Sequence, residues 1–389
     1  MISIAYRENK GATGGPGGVN YLLKKCNAEH QIFDSSEFIF KPKCIVKSTS
    51  YIFAITKKIK NIFLVNRIIT REHKDFIDNT IAKYLSTVYI CHDLISAFLV
   101  LNRNKKCVLV YHQQGSMYHE HLSFGGEQKP KLQHIYSKIE TFVIEKSELV
   151  IFPSSGALNA FLTTSLINES SKNTLLSKCH IAYNTIDESL VLKHPENHAQ
   201  IDRTTKNKKV FLTVSSLTEA KGVDLIVKQL IKIERFREDY VWILCGSGHL
   251  KDQIYTQIKD SKLEKNFIHV ENRIDQNELK FYYEIADFYI MMHRHSIFDL
   301  ATLEAMFNST IPVLSKVGGN LEVDKNNNII FEDRIDNIKR LTNDEIENLK
   351  QSNHQVYSDF FSNYDFLNRY KSIIEANGIT NHTPEDPPN

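Results

Sequence analysis

Lys221 opens the stretch Lys221–Gly222–Val223–Asp224, where the pattern predicts that a helix begins. A lysine at a helix start offers an anion a positive charge and a helix dipole together. The turn Phe298–Asp299–Leu300 also precedes a predicted helix, so its backbone N–H groups suit a phosphate. Glu304 follows one helical turn beyond Leu300 and is placed to accept hydrogen bonds from two neighbouring hydroxyls. Glycine-bearing loops follow several apolar stretches: Gly14–Gly15–Pro16–Gly17–Gly18, Gly246–Ser247–Gly248 and Gly318–Gly319. Glycine there permits positive φ and close approach of backbone to a ligand, although a plain tight turn uses the same residues. The first loop is neither a dinucleotide fingerprint with its acid about 20 residues on nor a Walker loop, which argues against a hydride-transfer enzyme.

His112 ends an apolar run and faces the expected ligand cleft; a buried structural histidine is the alternative. His92 precedes Asp93, which suits a helix cap, and His119 and His121 fall in a polar stretch.

These residues need elements to hold them. Short apolar runs at Met1–Tyr6, Val88–His92, Cys107–His112 and Leu149–Pro153 read as strands separated by helices, with Ser154–Ser155 as caps. Pro195–Lys209 is polar and reads as an interdomain linker. The alternation then restarts at Val210–Val214, Tyr240–Cys245, Phe267–Val270, Phe288–Met292 and Ile311–Ser315, with helices from Lys221, His249, Gln276 and Leu300. Two such blocks predict two doubly wound α/β domains with parallel sheets and ligand clefts at the strands' carboxyl ends. The boundaries expected are 1–190 and 205–357, with a flexible tail at 376–389.

Composition sets the limits. At 389 residues two domains are expected. A net charge of +2, with 24% charged residues, gives no footprint for nucleic acid. The six cysteines are scattered without a CxxC pair, so neither a disulfide framework nor a structural metal is expected. No apolar run reaches the roughly 18–20 residues that span a bilayer. The N-terminus lacks a signal-peptide pattern, which points to the cytoplasm.

Taken in order, Val214–Leu217, Lys221–Asp224, Gly246–Gly248, His295–Met306, Ile311–Val313 and Gly318–Glu322 resemble the retaining glycosyltransferases of family four, which have the GT-B fold. The family pattern runs GRL, KGxD, GxG, EGFGLxxxEAM, PV and GG. Nearly the whole chain follows it: His92 and His112 match two strand-end histidines, Asn184–Asp187 a domain-closing N-G-x-D, and 358–375 a C-terminal helix packing back on the first domain. The resemblance implies two Rossmann-like domains with a cleft between them. It implies transfer of a sugar from a nucleotide-sugar donor, with retention and without a bound metal or other cofactor. It places His112 near the transferred sugar and Glu304 on the ribose. It puts Gly17, Gly18, Ser216, Lys221, Gly246, Arg273, Phe298 and Leu300 around the donor.

Two positions depart from the family. Ser296, eight residues before Glu304, replaces the first glutamate of the E-x7-E pattern, and Asp299 stands where the family has glycine. Asp299 is either a displaced carboxylate or a helix cap. Ser216 replaces an arginine that meets the diphosphate, a charge-assisted contact worth about 1.5–3 kcal/mol. Arg273, His293, Arg294 and His295 are the candidates to replace it. An inactive glycosyltransferase-like partner or glycan-binding subunit is therefore the second reading. For the acceptor, basic residues interleave with Ile55, Ile59, Ile62, Phe63 and Ile69 over 55–74. That stretch suits the anionic inner face of the plasma membrane and a lipid-linked glycan, or a helix packed on its own sheet.

Overall fold

A computed structural model of the chain describes residues 2–4, 6, 19, 21–22, 25, 31–33, 68–84, 86–123, 126–196, 198–271 and 274–379. The contacts divide it into two compact units, Met1–Asn184 with Tyr364–Asn389, and Thr185–Asn363.

The first unit is built on strands β1 (Ile2–Ile4), β2 (Gln31–Phe33), β3 (Val88–Cys91), β4 (Lys106–Val110), β5 (Leu149–Phe152) and β6 (Cys179–Ile181). They lie in the order β2-β1-β3-β4-β5-β6, every pair parallel. All residues of β3 and β5 are buried, as continuous apolar strands between two helical layers should be. Asp93 and Ser154 cap the helices Leu94–Leu101 and Ser155–Thr164 by accepting from the backbone N–H groups of Ser96 and Ala157.

The chain rejoins this unit at its end. The helix Phe366–Ala376 sets Phe366, Leu367, Tyr370 and Ile374 on one face, against Val88, Ile90, Val108 and Val110. The single helix expected over 358–375 is in fact interrupted. The helix Asn343–Phe360 belongs to the second unit and stops where Phe361 turns inward onto Phe298, ring centroids 5.5 Å apart.

The second unit carries β7 (Lys209–Val214), β8 (Tyr240–Cys245), β9 (Phe267–Val270), β10 (Phe288–Met291), β11 (Ile311–Leu314) and β12 (Ile330–Phe331). Their order is β12-β11-β10-β7-β8-β9, again all parallel. From β7 the chain winds outward through β8 and β9, then returns to β10 on the other side. The point of reversal lies between β7 and β10, and the carboxyl ends of the strands there are where such sheets place a ligand. Buried Thr213 locks this centre, donating to the Ile290 carbonyl at 2.8 Å and accepting from Trp242 Nε1 at 3.1 Å. The polar stretch 195–209 is no open linker: it holds the helix His198–Thr205, anchored by buried Ile201, inside the second unit.

The basic stretch 55–74 lies outside the described residues up to 67. Beyond it Ile69 is buried, and the helix Arg71–Lys83 buries His73, Phe76, Ile77 and Thr80. Among the described residues no helix is long and apolar enough to cross a membrane.

Candidate functional site

The loops leaving β7 and β10 meet at the reversal point. After β7 the chain runs through exposed Ser216 into a short 3-10 turn, Glu219–Lys221, and the helix Val223–Leu230 starts two residues later than expected. Gly222, at φ +63°, makes the corner, and a Cβ on it would stand 1.7 Å from the Met292 carbonyl oxygen. Only glycine lets this backbone press on the end of β10. The contact carries Lys221 across to the β10 loop, where Arg294 N donates to the Ala220 carbonyl at 3.0 Å.

Asp299 receives Lys221. Its Oδ1 lies 2.8 Å from Lys221 Nζ and 3.4 Å from His293 Nε2. Its Oδ2 accepts from Thr302 N at 3.2 Å, Thr302 Oγ1 at 3.1 Å and Tyr289 OH at 3.1 Å. Asp299 is thus the N-cap of the helix Leu300–Phe307. Burial by itself would raise its carboxyl; Lys221 and His293 outweigh that and hold it well below the usual carboxylate range. Burial, with the same carboxylate adding to it, pushes the Tyr289 phenol well above its ordinary range.

Glu304 projects from the next turn of that helix and accepts from Tyr283 OH at 2.7 Å. Burial pushes its carboxyl up to about 7, with the Asp299 charge adding and the Tyr283 hydrogen bond opposing. It edges a cavity of about 20 Å³ beside Asp187, Lys280 and Tyr283, room for about one water.

Ser296 is buried, and its Oγ has no hydrogen-bond partner. Its carbonyl accepts from Gly319 N at 2.9 Å, and a Cβ on Gly318 would fall 2.0 Å from that carbonyl oxygen. The glycine pair is therefore pinned under Ser296 and Ile297. Gly246 plays a similar part after β8, where a Cβ would meet the Ser215 carbonyl oxygen at 1.8 Å. Phe298 turns into the core and Leu300 opens the helix.

Of the residues expected to stand in for the missing arginine, Arg294 is committed elsewhere. Its guanidinium grips Asp224 through two bonds of 2.7 and 2.8 Å and donates to the Glu219 carbonyl at 2.7 Å. These Arg294 bonds also hold the Asp224 carboxyl below its ordinary range, against the effect of burial. Buried His293 turns its Nε2 to Asp299 and leaves its Nδ1 without a hydrogen-bond partner, and His295 is exposed. Arg273, Gly17 and Gly18 lie outside the described residues.

In the first unit His92 and His112 follow β3 and β4. Their rings stack, and His92 Nδ1 lies 3.2 Å from His112 Nε2. Burial pushes His112 down to about 3, so it is neutral near pH 7, and its Nδ1 is left without a partner. Asp93 is occupied in capping, as its position suggested. His119 Nδ1 lies 2.9 Å from the Gln114 carbonyl and His121 Nε2 3.3 Å from that of Glu127, contacts that hold their own loops.

Sequence patterning gave no sign of Tyr283, Tyr289 or Glu140. Tyrosines inside apolar runs read as core, and only the fold shows which carboxylates they meet. Among the described residues, no group of three or more His, Cys, Asp or Glu side chains is placed to hold a metal ion.

The fold agrees with that of known proteins similar to this chain. The two parallel-sheet units are those of GT-B glycosyltransferases. Residues 195–358, most of the second unit, match the family model described as glycosyl transferases group 1. An uncharacterized glycosyltransferase of Methanocaldococcus jannaschii is 24% identical over 242 residues, which cover 60% of this chain and 59% of that relative. Anabaena HepE, in complex with UDP and glucose, is similar with a TM-score of 0.64 at 14% identity, over 96% of this chain and 99% of its own. Sucrose-phosphate synthase from Thermosynechococcus elongatus is similar with a TM-score of 0.64 at 15% identity, over 96% and 99%.

Proposed function

We propose that this chain is a retaining glycosyltransferase that moves a sugar from a nucleotide-sugar donor to a hydroxyl of a glycan or lipid-linked glycan. The observation that carries the reading is Lys221, delivered by Gly222 to the reversal point of the second sheet beside glycine-tight loops. Positive charge and close backbone at that place suit a diphosphate. The UDP held by Anabaena HepE makes UDP the first nucleotide to try.

In this scheme Lys221 neutralises charge on the departing diphosphate, and Glu304 accepts hydroxyls of the ribose. Ser296 Oγ, buried and unpartnered, donates to the sugar or diphosphate. His112, neutral, offers its free nitrogen to a sugar hydroxyl. Leaving group and attacking hydroxyl share one face of the sugar, so fixed charge and positioning do the work and no strong base or metal is required. A place in the cytoplasm and a role in cell-surface polysaccharide assembly complete the reading, with the basic residues of 55–74, though not the buried Ile69, against an anionic membrane. Binding of the purified protein to phosphatidylserine vesicles, lost in high salt, is the expected sign of the membrane contact.

Proton NMR of the reaction with UDP-glucose tests the activity. An α-linked product or α-glucose supports it, and a β-configured first product contradicts retention. A second reading, an inactive glycosyltransferase-like subunit, is favoured by Ser296 in the place of a carboxylate and by the pairing of Lys221 with Asp299. Nucleotide binding with neither transfer nor donor hydrolysis is the result that selects it.

A further inference from the structure

The two oxygens of Asp299 do separate jobs. Oδ2 serves the fold, accepting from Thr302 N, Thr302 Oγ1 and Tyr289 OH at 3.1–3.2 Å. Oδ1 faces Lys221 Nζ at 2.8 Å and His293 Nε2 at 3.4 Å. An asparagine satisfies the first set as well as aspartate does, because either side chain caps a helix. Only the contact with Lys221 calls for a negative charge.

Exposure divides the pair unevenly: 27% of the Lys221 side chain is open against 8% of Asp299. An incoming anion can therefore reach the ammonium but cannot expose the carboxylate to water. Drawing Lys221 away leaves a buried carboxylate short of its main counter-charge, and the fold resists this. Leaving Lys221 in place makes one ammonium serve two anions that repel each other.

We propose that Asp299 is an internal counter-ion that competes with a ligand's diphosphate for Lys221 and so sets a low affinity for the donor. The inference rests on the reading of Lys221 as a diphosphate-binding residue. It makes Asp299 an affinity-determining residue and not a displaced catalytic carboxylate. It also explains how the chain carries aspartate where a phosphate-facing turn would favour no charge.

Isothermal titration of wild type and Asp299→Asn with inorganic pyrophosphate, UDP and uridine tests it. Pyrophosphate needs no base recognition, and uridine carries no charge. Asp299→Asn should bind pyrophosphate and UDP about tenfold more tightly, the scale of one charge-assisted hydrogen bond released. Uridine affinity should not change, a pattern that a structural effect on the loop would not produce. Adding Lys221→Met to Asp299→Asn should abolish the gain. Asp299→Ser, another capping residue, serves if the asparagine variant folds poorly.

If wild type binds UDP and Asp299→Asn binds it equally or more weakly, Asp299 orients Lys221 instead of competing for it, and this inference alone fails. If neither protein binds pyrophosphate or UDP, the reading of Lys221 fails with it.

Discussion

Glu140 projects from the helix Pro130–Lys146 into the first unit, where it is 1% exposed. Its Oε1 accepts from Met117 N at 2.7 Å and Tyr111 OH at 3.4 Å, fixing the loop that follows His112. Burial pushes its carboxyl from 4.5 up to about 7, with those two hydrogen bonds opposing. In the unfolded chain Glu140 ionises near 4.5, whereas the folded protein keeps its proton to about 7. Over that window the unfolded state binds fewer protons, so stability from this group is full below about 4.5 and is lost as pH rises to about 7. At about 1.36 kcal/mol per pKa unit, a gap of about two and a half units amounts to about 3 kcal/mol. Glu140→Gln keeps an acceptor for Met117 and Tyr111 but has no proton to lose. Moving from near pH 5 to near pH 8, which leaves out the part already lost below pH 5, should therefore favour the variant over wild type by about 2.5 kcal/mol, whatever constant offset the amide adds. Urea unfolding at each pH, read by pulsed alkylation of buried Cys107 and calibrated on free cysteine, follows the first unit specifically. Equal pH slopes in the two proteins would refute the reasoning.

Other outcomes follow from the second unit, whose single tryptophan, Trp242, reports its unfolding by fluorescence. Gly222→Ala forces a left-handed backbone costing about 1–3 kcal/mol before the clash with Met292, so the unfolding midpoint should fall. Arg294→Ala leaves buried Asp224 without its partner and should cost about 1.5–3 kcal/mol by the same probe. Nucleotide affinity should rise with pH through about 7 as Glu304 ionises. Tyr283→Phe removes the hydrogen bond that lowers this carboxyl, so calorimetric titrations should show the rise at higher pH.

The strands were legible where they are buried on both faces. Tyr240–Cys245, buried throughout, has the expected bounds, because a parallel strand between helical layers is written as an unbroken apolar run. Strands β2, β6 and β12, two or three residues long, escaped because so short a run has no period to read. The polar segment around Ile201 was misread because one buried isoleucine is enough to seat a two-turn helix. Lys221, Glu304 and the glycine pair could be singled out in advance because loop chemistry after a strand is local. What Asp299 does was not local. Its partners come from the loop after β7, from β10 and from the loop after it, and only the winding of the sheet brings them together. The same holds for Arg294, whose pairing with Asp224 joins residues seventy positions apart.

The most direct test of the central claim is a thermal-shift measurement of the full chain with UDP, GDP, ADP and their common sugar conjugates. A ligand at one hundred times its dissociation constant stabilises the folded protein by about 2.7 kcal/mol, well within reach of the method. The account predicts a clear shift with one nucleotide diphosphate and its sugar conjugate, lost in Lys221→Ala and Glu304→Ala proteins that remain folded. No shift with any nucleotide, or a shift that both variants retain, would contradict it.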